Sequence, residues 1–210
     1  MKLSSRFFAG MLASIALVGC GAAEAGVITF EDLNPGYDTY GQLPSNYAGF
    51  TWSDSASFVT NGLVPGTGFQ FGTNGSVSMF DNDGGLISMS SATPFNFSSA
   101  YVTAAWNTNE NVLVQGLRNG VLEYSTTINT SYNSPTDFNF NFRNVDSVVF
   151  TPLDGGTDAG LGAGAGNHIA IDDIGFSPVA SVPEPSTYAL MAIGLVAVLF
   201  RKSRKDLRVF

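Results

Sequence analysis

Three carboxylates in this sequence have the surroundings of a cation site. Glu31 follows a phenylalanine, and Asp172 and Asp173 lie between two isoleucines. Carboxylates in such apolar neighbourhoods need a partner if they are buried. Calcium, which takes about six to eight oxygen ligands, suits such a place. The alternative is that these acids accept hydrogen bonds from loop backbone amides or face water.

Asp172 and Asp173 are adjacent on a predicted strand. Neighbouring side chains on a strand point to opposite faces of the sheet. We therefore expect at most one of the two to join Glu31 in a cation site, unless a bulge intervenes.

Glycine-rich segments supply two weaker metal candidates. The segment 81–85 (DNDGG) begins like a calcium loop but lacks the glutamate and the helices of an EF-hand, so it predicts a turn. The segment 154–166 predicts a loop before the last strand, in which Asp154 and Asp158 are further candidate ligands.

The usual parts of a catalytic site are scarce. His168 is the only histidine, and Cys20, the only cysteine, precedes the predicted mature chain. The sequence also has no G-x-S-x-G motif, so it lacks the residues of the usual serine and cysteine catalytic triads. A hydrolytic zinc site would need further histidines. We expect no catalytic residues and a non-enzymatic protein. Because fourteen acids could still include a glycosidase pair, an exported glycan hydrolase remains an alternative.

Aromatic side chains could stack on sugar rings. Trp106 shares a predicted strand face with Val102 and Ala104, so we expect it in the core. Trp52 lies in a turn-rich region and is the candidate for an exposed ligand-binding ring. The full set of candidates is Trp52, Trp106, Tyr101, Tyr124 and Tyr132.

Charge narrows the range of partners. Residues 26–181 contain two arginines, no lysine and fourteen acidic residues, a net charge of −12. Such a surface repels nucleic acid, whose phosphates need basic side chains. Divalent cations and neutral glycans remain plausible partners. The alternative is that the acidity only keeps an exported protein soluble.

Short β-branched and aromatic runs between Gly, Asn and Asp turns predict an all-β body. They include residues 27–30, 69–71, 76–80 and 86–89. Residues 112–117 and 121–124 should form a hairpin, because Asn119-Gly120 suits a type I′ turn. Residues 138–142 (FNFNF) alternate between phenylalanine and asparagine. In a strand this order places the three phenylalanines on the core face and the two asparagines on the solvent-exposed face.

About ten such strands predict a two-sheet jelly-roll sandwich. The opening strand ending TFED at residue 32, the middle strand 100–106 and the closing strand 169–174 resemble galactose-binding-like sandwiches and related carbohydrate-binding modules. That resemblance implies a structural Ca²⁺ held by acids on the opening and closing strands, which are Glu31, Asp172 and Asp173. It also makes carbohydrate a candidate ligand.

The C-terminal region has the order of a sorting signal. Val182-Pro183-Glu184-Pro185 precedes thirteen uncharged residues, 188–200, and a basic cluster begins at residue 201. Thirteen residues fall short of the roughly 20 that cross a bilayer comfortably, and the cations favour a cytoplasmic end. This order resembles the PEP-CTERM signal of exopolysaccharide-producing bacteria, which implies processing by an exosortase. An ordinary C-terminal anchor is the alternative.

The N-terminus predicts export. Lys2 and Arg6 precede an apolar stretch, and an A-x-A pattern predicts signal-peptidase cleavage between Ala25 and Gly26. The residues before Cys20 resemble a lipobox, so lipidation of Cys20 is the competing possibility. The predicted parts are a signal peptide (1–25), a β-sandwich (26–178), a linker with the PEP motif (179–187), a short transmembrane segment (188–200) and a basic cytoplasmic tail (201–210).

Together these features predict an exported, non-enzymatic protein. We expect it to be anchored transiently in the inner membrane of a Gram-negative bacterium and then to reach the cell surface or matrix. Exosortase and signal peptidase would be its processing partners. Binding of carbohydrate or exopolysaccharide is the most concrete activity, and a purely structural matrix component is the alternative.

Overall fold

Strands account for most of the chain that the structure describes. The structure is a computed structural model that describes residues 25–162 and 164–179, together with Ile193. Within residues 25–179 as described, the helical elements are a four-residue helix, α1 (Gly68–Phe71), and a 3-10 helix (Glu31–Leu33). The strands are β1 Gly26–Ile28, β2 Tyr40–Gln42, β3 Asn46–Tyr47, β4 Phe50–Trp52, β5 Ala56–Thr60, β6 Val77–Asp81, β7 Ile87–Ala104, β8 Glu110–Arg118, β9 Val121–Thr130, β10 Thr136–Pro152 and β11 Ile169–Pro178. The predicted all-β class is confirmed.

The strands form one antiparallel hydrogen-bonded network. Its main order is β2-β5-β6-β11-β7-β10-β8-β9, with β1 paired to β11, β4 to β7 and β3 to β4. The two predicted sheets are joined into one network, in which the long strand β7, of 18 residues, pairs with β4, β10 and β11, and β10, of 17 residues, pairs with β7 and β8. Their pairing contains several register shifts. Bulges bend strands, and the result is a sandwich-like sheet around a shared core.

The core consists mainly of aromatic and β-branched side chains. Phe97 and Phe150 are fully buried, with ring centroids 5.9 Å apart and nearly perpendicular planes. Residues 138–142 alternate as predicted: the phenylalanines at 138 and 140 pack against the core, Phe142 is buried, and the two asparagines are exposed. A second buried cluster on the sheet contains Phe69, Phe80 and Trp106.

The predicted hairpin is present between β8 and β9. Arg118 pairs with Val121 across a two-residue loop, and both loop residues have positive φ angles, 50° for Asn119 and 74° for Gly120. Positive φ at both central positions is the type I′ geometry that matches the twist of antiparallel strands. The turn chemistry therefore sets the register of this hairpin.

Residues 69–71 form a helix, so the strand predicted there is wrong. The amide of Gly68 donates to the Ala105 carbonyl at 3.0 Å, and a Cβ at Gly68 would lie 1.7 Å from the Ala104 carbonyl oxygen. This close approach turns the chain and directs Phe69 onto Phe80 and Trp106, with ring centroids 5.3 and 5.2 Å apart. A tertiary contact overrides the strand propensity of the short run.

The predicted signal peptide and the predicted C-terminal sorting signal lie mostly outside the described residues. This applies to the signal peptide with Cys20, to the PEP motif, and to segment 188–200 except Ile193. At the predicted cleavage bond, Ala25 is exposed and Gly26 begins β1. Among the described residues, no helix combines the length and apolar character needed to span a bilayer.

Candidate functional site

The acids singled out from the sequence come together on one loop, residues 73–76, which leads into β6. Glu31 lies in the 3-10 helix directly after β1, rather than on the opening strand itself. Its Oε1 accepts hydrogen bonds from the amides of Ser76 at 2.7 Å and Val77 at 3.1 Å. Asp172 Oδ2 accepts the amide of Asn74 at 2.8 Å. Two carboxylates from distant parts of the chain therefore hold the same loop.

A bulge in β11 brings Asp173 to this loop as well. The register between β11 and β7 shifts after Asp172, and Asp173 has a positive φ of 47°. Asp173 Oδ2 accepts the side-chain amide of Asn74 at 2.6 Å. The adjacent acids thus both bind Asn74, one through its backbone and one through its side chain. The simple opposite-face expectation fails here because of the bulge.

The contacts of the three acids match those of a hydrogen-bonded loop anchor. The second oxygen of Asp172 accepts the amide of Asp173 at 2.7 Å, so both oxygens of this buried carboxylate are already engaged. Burial, reinforced by the charges of Asp173 and Glu31, nevertheless raises the pKa of Asp172 to about 7. Within the described ranges, no three His, Cys, Asp or Glu side chains gather in an arrangement that could hold a metal. Calcium at Glu31, Asp172 and Asp173 stays a prediction.

The loop and the bulge contribute to an open groove with a volume of about 440 Å³ on the sheet surface. The groove crosses β1, β11, β7 and β10. Its walls are formed by Val27, Asn74, Ser99, Tyr101, Asp137 and Asp173. Tyr101 pairs directly with Asp137 across the β7–β10 ladder. One aromatic ring therefore lies among two carboxylates, an amide and a hydroxyl.

The groove is negatively charged. Burial first, and then the charges of Asp173, Asp172 and Asp137, raise the pKa of Tyr101, whose phenol is already protonated at neutral pH. A protonated phenol can both donate and accept a hydrogen bond. The carboxylates accept hydrogen bonds when ionised, so the groove offers acceptors to a ligand rich in hydroxyl groups.

Trp52 is not the exposed ring that the sequence predicted. Its side chain is only 4% exposed, and its indole nitrogen donates to the Tyr47 carbonyl at 3.0 Å. Phe30 and Phe50 pack edge-on against it. Trp52 therefore occupies a core position, and its ring faces are unavailable for stacking on a sugar.

The other four aromatic candidates differ in whether their rings pack against other aromatic side chains or lie in the groove. Trp106 is buried, as predicted, with 7% of its surface exposed. Tyr124 stacks on Phe142 with ring centroids 4.8 Å apart. Tyr132 lies beside Phe71, at 6.3 Å between centroids. Of the five, Tyr101 is the ring that lies in the polar groove.

Sequence comparison identifies the C-terminal segment. Residues 181–205 match the PEP-CTERM protein-sorting motif, as the sequence predicted, and Val182 to Pro185 lie inside the match. This motif indicates an exported protein that is sorted to the cell envelope, and it implies processing by an exosortase. No curated protein matches the chain.

Comparison with solved structures concerns the fold alone. A DUF4465 family protein from Bacteroides ovatus superposes with a TM-score of 0.51 at 8% identity, over 74% of this chain and 99% of that one. A family 29 carbohydrate-binding module from Piromyces equi has a TM-score of 0.38 at 13% identity, over 80% and 99% of the two chains. A point mutant of the family 29 module CBM29-2 has a TM-score of 0.40 at 15% identity, over 78% and 98%. The first of these similarities supports the sandwich-like fold.

Sequence reasoning missed three of the polar groove residues, Asn74, Ser99 and Asp137. Asp137 precedes the alternating run 138–142, and continuing that alternation backwards would have placed it on the wet face. Asn74 carries no local signal, because it reaches the groove only through contacts with residues almost a hundred positions away.

Proposed function

We propose that this protein is an exported, non-enzymatic surface protein that binds neutral glycan in the Tyr101 groove. The observation that carries the proposal is the composition of the groove, in which one tyrosine ring lies among Asp137, Asp173, Asn74 and a serine. Aromatic rings pack against the apolar faces of sugars, while carboxylates and amides bind the hydroxyl groups.

Charge supports a neutral ligand. The body carries a net charge of −12, and two carboxylates line the groove itself. An anionic polymer would be repelled from this surface over about one Debye length, roughly 8 Å at physiological ionic strength. A neutral polysaccharide meets no such repulsion and finds acceptors for its hydroxyl protons.

The acid-anchored loop prepares the groove for binding. Glu31 and Asp172 hold the backbone of residues 74–77, and Asp173 holds the Asn74 side chain at the groove wall. A prearranged wall lowers the entropy lost on binding. The three acids thus act on the ligand by positioning Asn74.

A glycan array probed with the purified protein, including the host's exopolysaccharide, tests the proposal. We expect saturable binding that falls at least about tenfold in Tyr101→Ala, because an aromatic contact contributes more than its buried area. Tyr37→Ala is the matched control, since this tyrosine is 68% exposed and lies outside the groove. Equal losses in both variants would argue against the groove.

The remaining results separate the alternatives. If the wild-type protein binds no glycan on the array, the result favours a purely structural matrix component. Release of sugar products that is abolished by Asp137→Asn or Asp173→Asn favours the exported glycan hydrolase.

For sorting, we propose that segment 188–200 holds the chain in the inner membrane of a Gram-negative host until an exosortase cuts near residues 182–185. The body then reaches the cell surface or matrix. The match to the sorting motif supports this sequence of events. Intact-mass measurement of the mature protein from its host should show loss of the basic cluster after Phe200 and an N-terminus at Gly26. A lipidated Cys20 or an intact C-terminus would contradict it.

A further inference from the structure

Two buried carboxylates lie at the end of the body where β6 and β7 finish and β8 and β11 begin. Asp81 is the last residue of β6, and Glu110 is the first residue of β8. Both side chains are completely buried, at 0% exposure. We call these two residues the Asp81–Glu110 pair. They are separate from the groove and from the loop anchored by Glu31.

Each member of the pair has one oxygen without a hydrogen-bond donor in the described part of the chain. Asp81 Oδ1 accepts the amide of Ile169 at 2.7 Å, while Oδ2 has no donor. Glu110 Oε2 accepts the side-chain amide of Asn107, while Oε1 has no donor. An unsatisfied buried carboxylate oxygen is costly, so a charge partner is expected at such a place.

His168 compensates this charge only in part. Its Nδ1 donates to the Asp81 carbonyl at 2.7 Å and lies 3.6 Å from Asp81 Oδ2, beyond hydrogen-bonding distance. The neighbouring Asp81 carboxylate raises the pKa of His168 against the opposing effect of burial, and it forms an ion pair with the imidazole when the ring is protonated. Residues 26–181 contain no lysine, Arg118 pairs with Asp146, and the side chain of Arg143, the other arginine, is exposed. A cation from solution is therefore the natural remaining partner.

The electrostatics agree with the geometry. Burial raises the pKa of both members of the pair. For Glu110, the charges of Asp81 and Asp154 raise the pKa further, so these carboxylates repel one another. The attraction of both carboxylates to a divalent cation would offset their mutual repulsion and the cost of their burial.

Further oxygen atoms lie near the Asn107 side-chain amide that binds Glu110. The Asn107 side-chain nitrogen lies 3.3 Å from the Gly166 carbonyl oxygen and 3.4 Å from Asn167 Oδ1. Asn167 also binds Asp154 Oδ1 at 3.1 Å. Calcium accepts carboxylates, carbonyl oxygens and water at flexible geometry, so two carboxylates suffice when carbonyls and water complete the set.

We propose that a divalent cation, calcium by its preference for oxygen ligands, binds between the Asp81 and Glu110 carboxylates. The ion joins the end of β6 to the start of β8 and stabilises the neighbouring loop residues 153–162 and 164–168. Binding stabilises the folded chain in proportion to the logarithm of free calcium.

Calorimetric titration of calcium into the purified protein, after chelator treatment, tests this site. We expect saturable binding that weakens at least about tenfold in Glu110→Gln and in Asp81→Asn, since affinity follows the number of charged ligands. Glu31→Gln and the exposed Glu123→Gln are controls that should keep the binding. Loss of binding in Glu31→Gln alone would assign the ion to the other acids and overturn the proposal.

Thermal unfolding supplies an independent measurement. Chelator should lower the midpoint of the wild-type protein by several degrees and leave Glu110→Gln unchanged. In chelator, Glu110→Gln should melt at or above the wild-type midpoint, because it removes a repulsive charge. A variant that is merely damaged would melt lower in both conditions.

Terbium luminescence locates the ion even if a carboxylate variant fails to fold. Trp106 directly precedes Asn107, whose side chain binds Glu110, so we expect its indole to sensitise a terbium ion bound at the pair. Calcium should displace this emission, and Trp106→Phe should abolish it. A wild-type protein that binds neither ion would show that the pair stays protonated instead, which overturns the proposal.

Discussion

Replacing Asp172 by asparagine should change how stability depends on pH. Burial raises the pKa of this carboxyl from 3.8 to about 7 in the folded protein. Between these values the folded state binds more protons than the unfolded state, so stability falls as pH rises. The contribution is fully present below pH 3.8 and is lost as pH passes 7.

The magnitude follows from the size of the shift. A difference of about 3 units at 1.36 kcal/mol each corresponds to about 4 kcal/mol. Asparagine removes this charge penalty but accepts only one of the two amide hydrogen bonds, at a cost of about 1 kcal/mol. Asp172→Asn should therefore be less stable than wild type at about pH 4 and more stable, by about 3 kcal/mol, at about pH 8.

Urea unfolding followed by circular dichroism, from about pH 4 to about pH 8 with chelator present, measures the effect. The exposed Asp54→Asn serves as a matched control. Parallel pH profiles for wild type and Asp172→Asn would refute the reasoning about burial. Repeating the series with calcium tests the ion predicted at Glu31, Asp172 and Asp173: binding there should flatten the wild-type profile.

Three further substitutions test the packing and the turn. Gly68→Ala places a Cβ 1.7 Å from the Ala104 carbonyl oxygen and should destabilise the protein by about 3 kcal/mol in urea unfolding; a neutral result would contradict the close approach. Phe97→Ala removes a fully buried ring and should lower the free energy of unfolding by about 3–5 kcal/mol, whereas a loss below about 1 kcal/mol would place Phe97 outside the tight core. Gly120→Ala at φ 74° should cost about 1 kcal/mol, measured by thermal melts, and a gain in stability would speak against the type I′ turn.

Local patterns predicted the parts of the fold that depend on neighbouring residues. The β8–β9 hairpin follows from the positive φ angles that Asn119 and Gly120 tolerate. The wet and buried faces of residues 138–142 follow from the two-residue period of a strand. Both predictions hold because these rules involve only a few consecutive residues.

Tertiary packing determined which side chains could serve a ligand. Trp52 and Tyr101 are both aromatic residues beside polar neighbours, yet Trp52 is buried, with its indole N–H bound to the Tyr47 carbonyl, and Tyr101 lines a groove. Exposure depends on which strands lie above and below each ring. Composition and local turns do not contain that information.

The sequence by itself determined the sorting motif at residues 181–205, the acidic body and the all-β class, because each of these follows from residue type and short-range order. Only the tertiary structure decided that Asn74 meets Asp172 and Asp173, 98 and 99 positions away, and that Asp81 and Glu110 are buried at one end of the sheet. Such contacts depend on strand order, register and the bulge after Asp172. These properties arise from the packing of the whole chain and have no local sequence signature.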